Sequence, residues 1–278
     1  LRLRRSRIKA LSIEGLRLLA ERILGKSHSG KGRYQMKILA IDSSGLVASV
    51  ALVEDDVMVA EYTIHYKKTH SQTLVPMLSA IKETVELDLA SIDAIAVAEG
   101  PGSFTGLRIG SATAKGLGLA LSKPVISVPT VDALAYNVCG SSRLVCPIMD
   151  ARRNQVYTGL YTFNRMQLET VREQCAVSID DIILTINQLE REALFLGDGV
   201  PVFKEKIREI VRVPYSFAPP HMSKQRAGAL GVLAMEYYKE GKIQTAREHK
   251  PNYLRASQAE RELKEKQESE KACLKSEN

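Results

Sequence analysis

The residues of this chain that could do chemistry lie in short glycine-rich stretches. The longest is Glu99-Gly100-Pro101-Gly102-Ser103-Phe104-Thr105-Gly106-Leu107-Arg108-Ile109-Gly110, which follows an apolar run at 94–98 and precedes a helical pattern. A strand, a glycine-rich turn and a helix start let backbone approach a ligand or a partner closely. The glycines remove bulk or permit φ > 0, Ser103 and Thr105 offer hydroxyls and helix caps, and open amides at a helix N-terminus favour an anion. The spacing is not G-x-G-x-x-G, and no Gly-Lys-Ser/Thr closes a P-loop. The other reading is a tight turn of small residues that packs a helix onto a sheet.

Further chemistry is sparse. Asp42-Ser43-Ser44-Gly45 puts a carboxylate and two hydroxyls directly after an apolar run, where they can also bond their own backbone in a hairpin turn. Ser103 does not make a nucleophile elbow: position 101 is Pro, and the second glycine comes one residue late. No catalytic residue is assigned. The five histidines (His28, His65, His70, His221, His249) include no i,i+4 pair. The four cysteines (Cys139, Cys146, Cys175, Cys273) form no CxxC, so no metal site is expected and a reducing compartment is.

Regular elements must position these stretches. Strands are expected at 37–41, 46–53 and 57–64, then a helix over 70–87 with Leu74, Leu78 and Ile81 on one face and Pro76 interrupting its hydrogen-bond ladder. A strand at 94–98, a helix at 108–121, a strand at 125–128 and a short helix from Thr130 complete the order βββαβαβα. The second half repeats it: strands at 144–149, 155–163 and 167–176, a helix at 179–189 capped by Ser178, and a strand at 193–196 ending in Gly197-Asp198-Gly199. A helix at 202–210, a short strand near Val211 and a helix at 224–239 follow. The doubling predicts an α/β fold of two similar domains, 36–140 and 141–255, with a cleft between them.

Charge separates the ends from this body. Residues 1–35 hold ten basic and two acidic residues, while residues 36–278 hold 29 basic and 30 acidic. The body therefore gives no argument for tight RNA binding by counterion release. The extension begins at Leu1 rather than Met; it is expected to lie outside the native fold, with a basic RNA-binding arm as the rival reading. Residues 256–278 read as a charged polar tail. No run approaches the ~18 apolar residues of a membrane helix, so a cytoplasmic protein without a membrane partner is expected.

The string GPGSFTGLRIG resembles the signature of the TsaB (YeaZ) family. Met36-Lys-Ile-Leu-Ala-Ile-Asp42-Ser-Ser and Pro251-Asn-Tyr-Leu-Arg255 support the resemblance, which covers about 36–255. It implies two actin-like ATPase (ribonuclease H-like) domains. It also implies a non-catalytic subunit for N6-threonylcarbamoyladenosine synthesis at tRNA position 37, binding and activating the TsaD transferase. A TsaE-type ATPase would join, tRNA would be reached through the complex, and the chain alone could form a homodimer. ATP and Mg²⁺ would serve the complex, with no cofactor held tightly here. In actin-like ATPases the acid after the first strand lies near metal and phosphates. Asp42, Ser43, Ser44 and Gly45, with Gly197, Asp198 and Gly199, would then form a degenerate nucleotide site. The TsaD metal motif His-x-x-x-His is broken here, since position 74 is Leu. The first two helices resemble the pair that meets TsaD, which points to His70, Leu74, Met77, Leu78, Ile109, Ala112 and Gly116 as the interface. The alternative is an active ATPase or small-molecule kinase of the same fold, binding Mg-ATP through Asp42 and the glycine loop.

Overall fold

The computed structural model describes residues 35–66 and 68–255. The expectations for the basic extension and the charged tail fall outside them. Two five-stranded mixed sheets carry the fold. The first has the order β3-β2-β1-β4-β5, from β1 (Lys37–Asp42), β2 (Ala48–Glu54), β3 (Val57–Ile64), β4 (Ala94–Gly100) and β5 (Val125–Pro129). The second has the order β10-β9-β6-β7-β8, from β6 (Leu144–Asp150), β7 (Gln155–Asn164), β8 (Gln167–Ser178), β9 (Ala193–Leu196) and β10 (Tyr215–Phe217). In each, the first three strands run antiparallel and the last two join parallel to the first. This is the doubled ribonuclease H-like arrangement of an actin-like fold.

Central strands are apolar on both faces because both faces are covered. Along β1, Ile38 and Ala40 face one core while Leu39 and Ile41 face another, as a period of two requires. Helices α1 (His70–Thr84) and α2 (Phe104–Leu121) cover the second of these faces, and α6 (Ala227–Lys239) covers the first. On the other sheet, α4 (Ile179–Leu189) and α5 (Val200–Ile210) cover one face. The short α3 (Thr130–Tyr136) serves both sheets: Ala133 packs in the core under α6, while Val131, Leu134 and Ala135 pack against Val145, Met149 and Leu196. At that seam buried Asp132 accepts a 2.6 Å hydrogen bond from the Tyr161 hydroxyl, and burial raises its carboxyl above the usual range.

Three differences from expectation go beyond a few residues at element ends. Helix α2 starts four residues early, because Ser103 caps it by accepting from the Gly106 amide. The strand expected near Val211 is at Tyr215–Phe217. Val211 instead closes α5 through its amide, and the Tyr215 and Phe217 rings dock on Phe195 at 6.0 and 6.1 Å. The segment 227–255, expected in the second domain, returns to the first sheet. Helix α6 packs there, and Gln244 pairs with Val125 on the edge strand.

Candidate functional site

Three stretches remote in sequence meet at the carboxyl ends of β1 and β4. The Asp42 carboxylate accepts from the Ser44 amide at 2.9 Å and the Ser44 hydroxyl at 2.6 Å. The Ser103 amide donates to the Ser44 carbonyl at 2.6 Å, and the Ser43 hydroxyl donates to the Gly106 carbonyl at 2.8 Å. His70 lies 2.8 Å from the Gly45 carbonyl through Nε2, which must carry the proton because the carbonyl can only accept. The glycines allow this contact: a Cβ on Gly102 would stand 2.2 Å from the Ser44 oxygen, and one on Gly106 2.0 Å from the Ser43 oxygen. The third stretch enters at Asn252, whose amide donates to the Glu99 carbonyl at 2.7 Å. Gly100, at φ +125°, would put a Cβ 2.1 Å from the Asn252 oxygen.

The Asp42 turn is therefore a structural knot. Asp42 is 1% exposed, and burial raises its carboxyl although the Ser44 bonds and the nearby His70 pull the other way. Both serine hydroxyls are already donated within the chain, as a self-bonded turn requires. Removing the acceptor, Asp42→Ala, should cost about 1–3 kcal/mol, the usual penalty for stranding buried partners. Asp42→Asn, which keeps one acceptor oxygen, should cost less, and urea unfolding of the two variants reads the difference.

The second sheet repeats the device. Strand β6 also ends in an aspartate, Asp150, whose Oδ1 accepts from the amide two residues on, Arg152, at 2.8 Å. After β9, the Gly199 amide donates to the Ile148 carbonyl at 2.9 Å, and Gly197 sits at φ +112°. Asp198 between them is pushed up to about 6, first by burial and further by the charge of Asp150. Because its folded pKa lies above 3.8, stability falls as pH rises from about 4 to about 6 and stays lower above that. Asp198→Asn should thus stabilise the protein at pH 7 by about 1–3 kcal/mol, with the gain fading at pH 4. Urea titrations at the two pH values test it. Sequence reasoning missed Asp150, yet the signal was present: both repeats open with an apolar strand that ends in Asp.

Between the two aspartate turns lies a cleft of about 460 Å³, lined by Ser44, Gly45, Pro101, Phe104 and Leu107 from one side and by Met149, Asp150, Arg152 and Asp198 from the other. Residues 251–255 cross it as a strap. Asn252 holds the Glu99 side, and Arg255 Nη1 donates to the Ala151 carbonyl at 2.9 Å. Among the described residues no group of three or more His, Cys, Asp or Glu side chains converges on a point. No described helix is long and apolar enough to cross a membrane.

The three stretches that knot together are those that carry the family resemblance, and comparison with known proteins agrees. A family model described as TsaD, tRNA N6-adenosine threonylcarbamoyltransferase, matches residues 58–263. The tRNA threonylcarbamoyladenosine biosynthesis protein TsaB of Bacillus subtilis (strain 168) is 34% identical over 225 residues, covering 81% of this chain and 96% of that protein. The chain belongs to the TsaB family. The Escherichia coli (strain K12) TsaB is 31% identical over 235 residues, covering 82% of this chain and 98% of its own. YeaZ from Pseudomonas aeruginosa superposes with a TM-score of 0.68 at 26% identity, covering 79% of this chain and all of that one.

The partner face expected for a TsaB-family protein needs correction at two positions. Leu74 is 1% and Met77 3% exposed; both pack with Ile81 against Leu39 and Ile41 inside the chain's own core. The apolar stripe of an amphipathic helix faces its sheet, so Leu74 and Met77 are taken up by the chain's own core. His70 is turned inward to Gly45. Leu78 and Ile109 are half-buried, whereas Ala112 and Gly116 are exposed on α2, and a Cβ on Gly116 would touch nothing within 4 Å. Val75, 57% exposed, and Leu119, 54% exposed, add large apolar side chains to the outer faces of the same two helices.

Proposed function

We propose that this chain is the non-catalytic subunit that binds a TsaD-type transferase and holds it competent for threonylcarbamoyl transfer to adenosine 37 of tRNA. One observation carries the reading: the Ser43 and Ser44 hydroxyls of the Asp42 turn and the Ser103 amide of the glycine loop are taken up by internal bonds, while small and apolar residues on α1 and α2 face outward. Small residues let a partner helix approach closely, and exposed Val75 and Leu119 supply apolar area to bury. On this reading a separate enzyme makes the threonylcarbamoyl-adenylate, and ATP and Mg²⁺ serve the assembly. A TsaE-type ATPase joins it in the cytoplasm, and the same helix faces pair two copies of the chain when the transferase is absent. The test is size-exclusion chromatography of the chain with its cognate transferase, followed by transfer assays on tRNA. A stable heterodimer required for transfer supports the reading. ATP turnover by the chain alone, lost in Asp42→Asn, favours the kinase reading instead.

A further inference from the structure

The lip of the cleft carries aromatic rings and guanidinium groups that internal contacts occupy only in part. The rings of Phe104 and Tyr253 lie 4.9 Å apart at an angle of 36°. The Arg108 guanidinium sits 3.9 Å over the Phe104 ring, and its Nε donates to the Tyr253 hydroxyl at 3.3 Å. The loop at the head of α2 and the strap thus contribute one ring each to a small platform, with Tyr253 39% exposed. Two further guanidinium groups stand round the same cleft. Arg152 is on the β6–β7 turn, where Arg152, Arg153 and Asn154 are all left-handed (φ 65°, 55° and 58°), and its side chain is 81% exposed. Arg255 spends one nitrogen on the Ala151 carbonyl and keeps its other donors. The facing carboxylates are Asp150, ion-paired with Arg152 at 3.2 Å, and half-buried Asp198.

We propose that this lip binds an unpaired RNA nucleotide, its base stacked on the Tyr253–Phe104 platform and its phosphates on Arg152 and Arg255. Aromatic rings and guanidinium planes are how proteins hold splayed-out bases, and such stacking tolerates any base. A free nucleotide shares this chemistry, but a triphosphate needs a concentrated cradle, and both serine hydroxyls and the Ser44 amide of the Asp42 turn are already bonded. RNA presents one phosphate per residue, which suits guanidinium groups placed apart along a rim. In a body without net positive charge, affinity comes from stacking plus one or two phosphates. The inference rests on the tRNA reading only for which RNA is relevant, since the test uses the isolated chain.

The full chain is titrated with a fluorescein-labelled single-stranded RNA heptamer containing 4-thiouridine, followed by anisotropy, and the photocrosslinks are mapped by mass spectrometry. Crosslinks at Phe104 or Tyr253 are expected. Tyr253→Ala should weaken binding about 5- to 10-fold, the lower range for loss of one base stack, while Tyr253→Phe, which keeps the ring, binds nearly as the parent does. Arg152→Gln should make the salt dependence shallower by about 0.7 in log–log slope, the value for one single-strand phosphate. Crosslinks confined to residues 1–35, or unchanged affinity in Tyr253→Ala, would overturn the proposal. Displacement by millimolar ATP would also overturn it, assigning the lip to a free nucleotide. None of these outcomes depends on complex formation with the transferase.

Discussion

The same substitution made twice on helix α2, ten residues apart, should move stability in opposite directions. Gly106→Ala drives a methyl carbon to 2.0 Å from the Ser43 carbonyl oxygen and 3.3 Å from the His70 ring. Both neighbours are fixed, the first by the Ser43–Gly106 hydrogen bond and the second by the His70–Gly45 contact. The β1–β2 turn must move, and with it the Asp42–Ser44 bonds. Overpacking of this kind costs about 1–3 kcal/mol and occasionally more; with backbone rather than a flexible side chain in the way, about 3 kcal/mol is expected, or a fall in Tm of about 6–12 °C. Gly116→Ala puts its methyl into open space on a helix interior. It should stabilise by about 0.8–1 kcal/mol, the helix-propensity gain of alanine over glycine. Differential scanning calorimetry of the two variants beside the parent reads both signs in one experiment. Equal effects would mean that the loop glycines are not spacers for the knot.

The second large effect separates folding from assembly. Gly116→Arg should leave the isolated chain as stable as the parent or slightly more so, because the site is exposed and arginine is a better helix former than glycine. At a close helix–helix contact the same guanidinium is buried without a partner, which costs about 3–5 kcal/mol, or at least a 100-fold loss of affinity for the transferase. Calorimetric titration gives the affinity, and urea unfolding gives the control. Leu74→Ala should do the reverse. It removes a core side chain 1% exposed and costs about 2–5 kcal/mol in stability, with no direct effect on the interface.

Much of the fold was legible because its signals are local. Strands β1 to β3 read from apolar runs broken by Glu54-Asp55-Asp56, and α4 from the Ser178 cap. The doubled strand order followed from counting elements. What escaped was tertiary. Gly106 and Leu107 look like loop until Ser103 is seen to cap them into α2. That α6 leaves the second sheet for the first has no signature in its own periodicity, because an amphipathic helix does not encode which sheet it covers. Leu74 and Met77 show the same limit from the other side: the resemblance points to a helix but not to which of its faces the chain's own core takes up. Asp42 was legible as a residue worth noting, with a turn and a phosphate site as rival uses. The 2.9 and 2.6 Å bonds to Ser44 show that the turn uses its own carboxylate. The convergence of 42–45, 100–106 and 251–255 could not be read from spacing, yet it explains why those three stretches together carry the resemblance.

The central claim, a partner-holding subunit whose glycine loop is structural, is tested most directly by threonylcarbamoyl transfer to tRNA. The cognate transferase is supplied with threonylcarbamoyl-adenylate, with and without this chain. The account predicts transfer that stalls without the chain, is restored by the parent and by Asp42→Asn, and is not restored by Gly116→Arg. Full transfer in the absence of the chain, or loss of transfer in Asp42→Asn with the complex intact, would contradict it.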